Sequence, residues 1–291
     1  MLIEKITSRH NPLVKRFRNV RAGAEHQFVF IEGVRLVEEA LKAGVHFESI
    51  AFSSAAESTD RGLELLDALQ RVPCRGAHVS PQVMEGIADT ENTQGIAAIV
   101  SRPYYELDEA LANAPQLVVI ADQLQDPGNL GSIIRTAEAA GATGVITTRQ
   151  TVDPFNQKAL RASMGSALRL PVVTDAKAGQ VFAACRKAGI KIVASDPAAD
   201  HPRPAIEDAA QVAKVCCYTD FDFTGPVALV MGREASGVSS EVEGSVDAYV
   251  RIPMAASVES LNVAAAAAII LYEAARQREF RLVSNSSKTG N

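Results

Sequence analysis

The chain has 291 residues, of which 47% are apolar and 22% charged, with unexceptional Gly and Pro. That places it among soluble globular proteins with a sizeable core and room for one large domain or two ordinary ones. A net charge of −5 does not announce a nucleic-acid partner, yet residues 1–21 carry Lys5, Arg9, Lys15, Arg16, Arg18 and Arg21 against the single acid Glu4, so local charge matters more than the sum.

In chain order, Ser8 to Arg21 reads as a helix begun by Asn11-Pro12, with Leu13, Phe17 and Val20 on one face and Lys15, Arg16 and Arg18 elsewhere. Phe28 to Gly33 reads as a strand and turn, Val34 to Gly44 as a helix with a glycine stop, and Ser49 to Ser54 as the next strand. A helix over Gly62 to Gln70 and strands over Arg75 to Val79 and Gly95 to Val100 complete a βαβ rhythm. The stretch from Arg102 to Pro115, with its prolines and acids, reads as a boundary. The rhythm restarts with strands at Leu117–Ala121, Thr143–Thr147, Ile190–Ala194, Val227–Met231 and Ala248–Ile252, and ends in an alanine-rich helix from Leu261 to Arg278. Strands alternating with helices imply an α/β protein with a mainly parallel sheet covered on both faces. The expected division is a first domain at 1–102, a linker at 103–115 and a second domain at 116–291.

The cysteines, Cys74, Cys185, Cys216 and Cys217, sit at no metal-ligand or redox-motif spacing, and are expected to be reduced and mostly buried. The N-terminus lacks a signal-peptide pattern, and the longest apolar run, Val263 to Leu271, is too short for a bilayer. A cytoplasmic location is expected, with no membrane association.

Three segments carry chemistry. DPGNLGSIIRTAEAAG, from Asp126 to Gly141, joins a glycine-bearing turn to a helix at the edge of a predicted strand, where α/β proteins bind ligands. Read alone, Asn129 is a favoured N-cap and Arg135 a partner for Glu138. VALVMGREASGV, from Val227 to Val238, is a strand ending in a turn that holds Glu234 and Gly237. RIPMAASVESLN, from Arg251 to Asn262, is a Pro-containing loop entering the last helix, with Ser260 as a simple N-cap reading. No GxGxxG fingerprint or phosphate loop is present, which argues against an ordinary dinucleotide or nucleotide fold.

Taken together and in this order, the three segments resemble the three motifs of the SpoU group of RNA ribose 2′-O-methyltransferases, within the SPOUT superfamily. The resemblance covers Leu117 to about Gln277. It departs from the family pattern at Ala256, where a glycine is usual, and at the charged Arg233. The resemblance implies a C-terminal knotted (trefoil) domain that binds S-adenosylmethionine through backbone groups mapping to Gly232, Ile252 and Leu261. It also implies that Arg135 activates the ribose hydroxyl, that Asn129, Glu234, Ser260 and Asn262 position the ribose, the phosphate and neighbouring side chains, and that the protein is a homodimer through its knot helices. Nothing in the methyl transfer requires a metal.

The first 100 residues resemble the small α/β substrate-binding domain at the N-terminus of many SpoU enzymes, with Arg9, Lys15 and Arg35 as the candidates for RNA contact, and Glu32 and Gly33 as residues that set a turn. Its presence favours ribosomal RNA over transfer RNA. The alternatives are a tRNA 2′-O-methyltransferase, or a non-catalytic RNA-binding or ribosome-assembly protein that keeps the knot.

Overall fold

The computed structural model describes residues 2–112, 117–195, 214–233, 237–255 and 260–278. It divides into two compact units, Met1–Tyr104 with Asp153–Leu170, and Tyr105–Val152 with Pro171–Asn291.

The first unit runs β1 (Leu2–Ile6), α1 (Pro12–Arg21), β2 (Phe28–Glu32), α2 (Val34–Lys42), β3 (Phe47–Phe52), α3 (Ser54–Glu57), α4 (Asp60–Gln70), β4 (Arg75–Val79), α5 (Pro81–Ile87) and β5 (Ile96–Ser101). Its five strands lie in the order β1-β4-β3-β5-β2. β4 pairs parallel with β1 and β3, whereas β5 runs antiparallel to both β2 and β3, so the sheet is mixed rather than a plain βαβ series. Helix α1 starts as its sequence requires: the Asn11 carboxamide accepts from the Leu13 N–H at 2.8 Å and Pro12 takes the first turn. Leu13, Val14, Phe17 and Val20 are buried against Val83, Met84 and Ile87 of α5. Gly33 enters α2 at φ +94°, a left-handed angle that glycine adopts without strain.

The second unit begins with α6 (Leu107–Leu111), β6 (Leu117–Ala121), α7 (Pro127–Ala139) and β7 (Gly144–Thr148). Next come α8 (Gln157–Ser163) and α9 (Ser166–Arg169), which belong to the first unit. The second unit resumes with β8 (Val172–Ala176), α10 (Ala178–Lys187), β9 (Lys191–Ser195), β10 (Lys214–Cys217), β11 (Val227–Met231), α11 (Ser240–Glu243), β12 (Ala248–Arg251) and α12 (Val263–Gln277). Seven strands in the order β10-β12-β9-β11-β6-β7-β8 pair in parallel throughout. Every residue of β6, β7 and β11 is buried, as expected for central strands of a sheet covered on both faces. Val181, Phe182 and Cys185 of α10 pack in one core with Ala110 and Leu111 of α6 and with Val118 and Ile120 of β6, while α7 packs against α12.

Two features differ from the sequence reading. The stretch expected as a linker at 103–115 contains α6, held by a capping box between Glu106 and Glu109 and packed on β7 and β8. The stretch Asp153–Leu170, expected inside a continuous 116–291 domain, packs with the first unit: Gln157 Nε2 donates to the Phe30 carbonyl at 2.7 Å, Arg161 pairs with Asp89 at 2.8 Å, and Arg169 pairs with Glu39. None of the four cysteines is in a disulfide, but only Cys185 is fully buried, and burial pushes its thiol up to about 11. No described helix is long and apolar enough to cross a membrane.

Candidate active site

Parallel strands bring their C-terminal ends to one edge, and the three chemically interesting segments each leave the sheet there, after β6, β11 and β12. After β6, Asp126 caps α7 by accepting from the Asn129 N–H at 2.8 Å, with Pro127 in the first turn. Asn129 is therefore a residue of the first helical turn, not its N-cap. Its carboxamide is turned to another partner: the Asn129 Oδ1 accepts from Asn262 Nδ2 at 3.0 Å. Asn262 is the true N-cap of α12, its Oδ1 accepting from the Ala264 N–H at 2.9 Å and the Ala265 N–H at 3.3 Å, so Ser260 is not the cap. One bond thus ties two helix N-termini, 133 residues apart in sequence.

After β11, Arg233 and Gly237 exchange main-chain hydrogen bonds of 2.8 and 3.0 Å. A Cβ at Gly232 would lie 2.3 Å from the Gly237 carbonyl oxygen, so no other residue fits without moving the Gly237 backbone. Glu234 lies outside the described residues, as does Ala256. Beyond Gly237 the chain is held by Asp122, a buried carboxylate that the sequence reading did not single out. Its Oδ2 accepts from the Ser239 N–H at 2.8 Å and its Oδ1 from the Thr148 hydroxyl at 2.9 Å. A lone acid directly behind an all-apolar strand was the signal for it.

Gly232, Ile252, Ser260 and Leu261 line a single cleft, together with Met231, Met254 and Gly237. Arg135 sits elsewhere: it is exposed on α7, does not line the cleft, and makes no hydrogen bond or ion pair among the described residues, the Glu138 pair included.

In the first unit, Lys15 and Arg35 are exposed and without an ionic partner among the described residues, whereas Arg9 donates to the Gln82 carbonyl at 3.1 Å and lies 3.8 Å from Glu85. Lys15 belongs to α1, which packs with α5, and Arg35 to α2, which packs with α4, so they do not form one helix face. Much of the basic run is structural. Arg16 bonds Glu48 at 2.7 Å and Glu25 at 3.4 Å, and its guanidinium is 4.8 Å from the Phe28 ring centroid. Arg18 and Arg21 donate to the Gly86 and Ile87 carbonyls at 3.0 and 2.8 Å, at the C-terminal end of α5 where cations are favoured. Glu32, nearly fully buried, accepts from the Asp89 and Thr90 N–H groups and the Thr90 hydroxyl, fixing the loop beside Gly33.

Residues 116–272 match the SpoU rRNA Methylase family, and residues 3–98 match the MRM3-like substrate binding domain. The chain is 34% identical to a 23S rRNA (uridine(2479)-2′-O)-methyltransferase of Streptomyces viridochromogenes, over 91% of this chain and 87% of the relative. It is 32% identical to a 23S rRNA (guanosine(2553)-2′-O)-methyltransferase of Bacillus subtilis, over 93% and 98%. Among solved structures, an AdoMet-bound rRNA methyltransferase from Sinorhizobium meliloti superimposes with a TM-score of 0.77 at 31% identity, over 94% of this chain and 98% of that one. With the motif segments gathered at one sheet edge and the match running from 116 to 272, this chain belongs to the SpoU rRNA Methylase family.

Proposed function

We propose that the protein transfers the methyl group of S-adenosylmethionine to a ribose 2′-hydroxyl of ribosomal RNA. The observation that carries this reading is the meeting of Gly232, Ile252, Ser260 and Leu261 around one cleft, in a member of a family whose relatives are named for this reaction on 23S rRNA. Apolar side chains of Met231, Ile252 and Leu261 and the main chain at Gly232 and Gly237 suit a nucleoside carrying a thioether-like chain. When bound, S-adenosylmethionine supplies a methyl group already activated by the positive sulfur, so no metal is required.

The chain's own residues then align the acceptor oxygen and manage its proton. The role assigned to Arg135 is to hold the neighbouring phosphate through its planar, five-donor fork and to stabilise the alkoxide as it develops. Asn262 fixes the Asn129 carboxamide, and Asn129, Ser260 and Glu234 position ribose and phosphate. The N-termini of α7 and α12 add favourable partial charge for an anion.

The reading includes a trefoil knot and a homodimer. Strand order supports the first: β12 inserts between β10 and β9 before the chain returns in α12 against α7. The exposed Ile269 and Tyr272 on α12 support the second, as does the placement of Arg135 outside the cleft, which suits an active site completed by a partner subunit. The first unit binds the RNA, with Lys15 and Arg35 available and Arg9 sharing its charge with Glu85. A ribosomal substrate fits a cytoplasmic location.

Arg135→Lys keeps the charge and loses the fork. The expected result is a fall in turnover of at least tenfold with unchanged affinity for S-adenosylmethionine by calorimetry, whereas turnover near wild type would remove the bidentate role.

A further inference from the structure

A second cleft, of about 280 Å³, opens on the same edge of the parallel sheet, at the ends of β6, β7 and β8. Its charged rim is Arg149, directly after β7, and Lys177, directly after β8 at the start of α10. Both are exposed, and neither side chain makes a hydrogen bond or ion pair among the described residues. Two carboxylates face the same space, and both are engaged by the fold. Asp122 takes the Thr148 hydroxyl and the Ser239 N–H, and Glu241 accepts from the Gly179 N–H in the first turn of α10 at 3.2 Å. The positive charges are left for a ligand. The rim is also held in place: the Gln125 carboxamide donates to the Gln123 and Gln150 carbonyls at 2.9 and 2.6 Å, bridging the chain beyond β6 and β7.

Position gives the ligand class. Arg233, which lines the first cleft, follows β11, and the strand order from there is β6, β7, β8. With strands about 4.8 Å apart, the three cations Arg233, Arg149 and Lys177 span about 14 Å of one edge. A polyanionic strand leaving the first cleft along that edge meets Arg149 and then Lys177. We infer that the second cleft seats the phosphodiester backbone of the RNA next to the methylated nucleotide, with Arg149 and Lys177 as its phosphate contacts. This inference rests on the proposed action on RNA and adds to it a binding site outside the cofactor cleft.

The test is binding of an unmodified 23S rRNA transcript to the full chain at several salt concentrations, with Arg149→Gln/Lys177→Gln alongside wild type, and with S-adenosylmethionine affinity and methyl transfer measured on both. Because both side chains are exposed and unpaired, the variant should melt with wild type. The expected result is unchanged cofactor affinity, RNA affinity lowered at least tenfold, and a salt slope shallower by about 1.4, two single-strand phosphates at about 0.7 each. Unchanged RNA affinity and slope, with wild-type transfer intact, would overturn the site and leave the enzymatic reading standing. A lost slope in a protein that transfers no methyl would support the site and overturn the enzymatic reading. Failure of wild type to bind the transcript would overturn both.

Discussion

At the scale of single residues, the Asn129–Asn262 bond is the most informative contact in the molecule. Asn262 does two things with one carboxamide: its oxygen caps α12 and its nitrogen holds Asn129. These roles separate by substitution. Asn262→Ser keeps a capping oxygen but is too short to reach Asn129, so stability should stay within about 0.5 kcal/mol of wild type while methyl transfer falls at least tenfold; Asn262→Ala should in addition lose about 1 kcal/mol. Thermal melts and single-turnover rates on both variants check this, and a Ser variant at wild-type rate would reduce the bond to a helix tie. Charged side chains teach the opposite lesson. The basic run before residue 22 suggests one RNA-binding helix, but Arg16, Arg18 and Arg21 are taken up by Glu48, by Glu25 and by the end of α5. A sequence shows charge without showing which charges the fold has already satisfied.

Among the elements, α12 carries the most consequence. Its far end is stapled to the segment before β11: the Gln277 carboxamide accepts from the Phe223 N–H at 2.8 Å and donates to the Phe221 carbonyl at 3.0 Å, and Arg278 donates to the Phe223 and Gly225 carbonyls. Arg276 and Gln277 hold the Glu273 carboxyl down to about 2. One flank packs on α7, while Ile269 and Tyr272, at 36% and 54% exposure, face outward. Apolar surface on a rigid helix suits a second copy of the chain. Light scattering at micromolar concentration should give twice the monomer mass, and Ile269→Glu/Tyr272→Glu should give a folded monomer; a wild-type monomer would contradict the dimer.

The elements also mark where sequence patterning succeeds. β4, β6 and β11 have the bounds their sequence predicts, because β6 and β11 are uninterrupted apolar runs and β4 is set off by Pro and Ser. The edge strands β8 and β10 escape notice, since VVTDA and KVCC are only partly buried and carry little periodicity. That helices α8 and α9 pack with the first unit escapes notice for a different reason. Their placement depends on Arg161 meeting Asp89 and Arg169 meeting Glu39, pairs 72 and 130 residues apart that no local pattern announces.

For the whole molecule, residues 3–98 match a substrate-binding domain and residues 116–272 a methylase family. That Gly232, Ile252, Ser260 and Leu261 line one cleft follows from segments whose order is distinctive in the sequence. The second cleft has no such signal, since Arg149 and Lys177 become neighbours only through adjacent strand ends. The central claim is a specific bond: methyl carbon to ribose oxygen. The measurement that tests it most directly is incubation with methyl-labelled S-adenosylmethionine and unmodified rRNA, followed by digestion to nucleosides and separation of the labelled product. Label in a single 2′-O-methylnucleoside, lost with Arg135→Ala, is the result this account predicts. Label in a base-methylated nucleoside, or none while the cofactor binds, would contradict it.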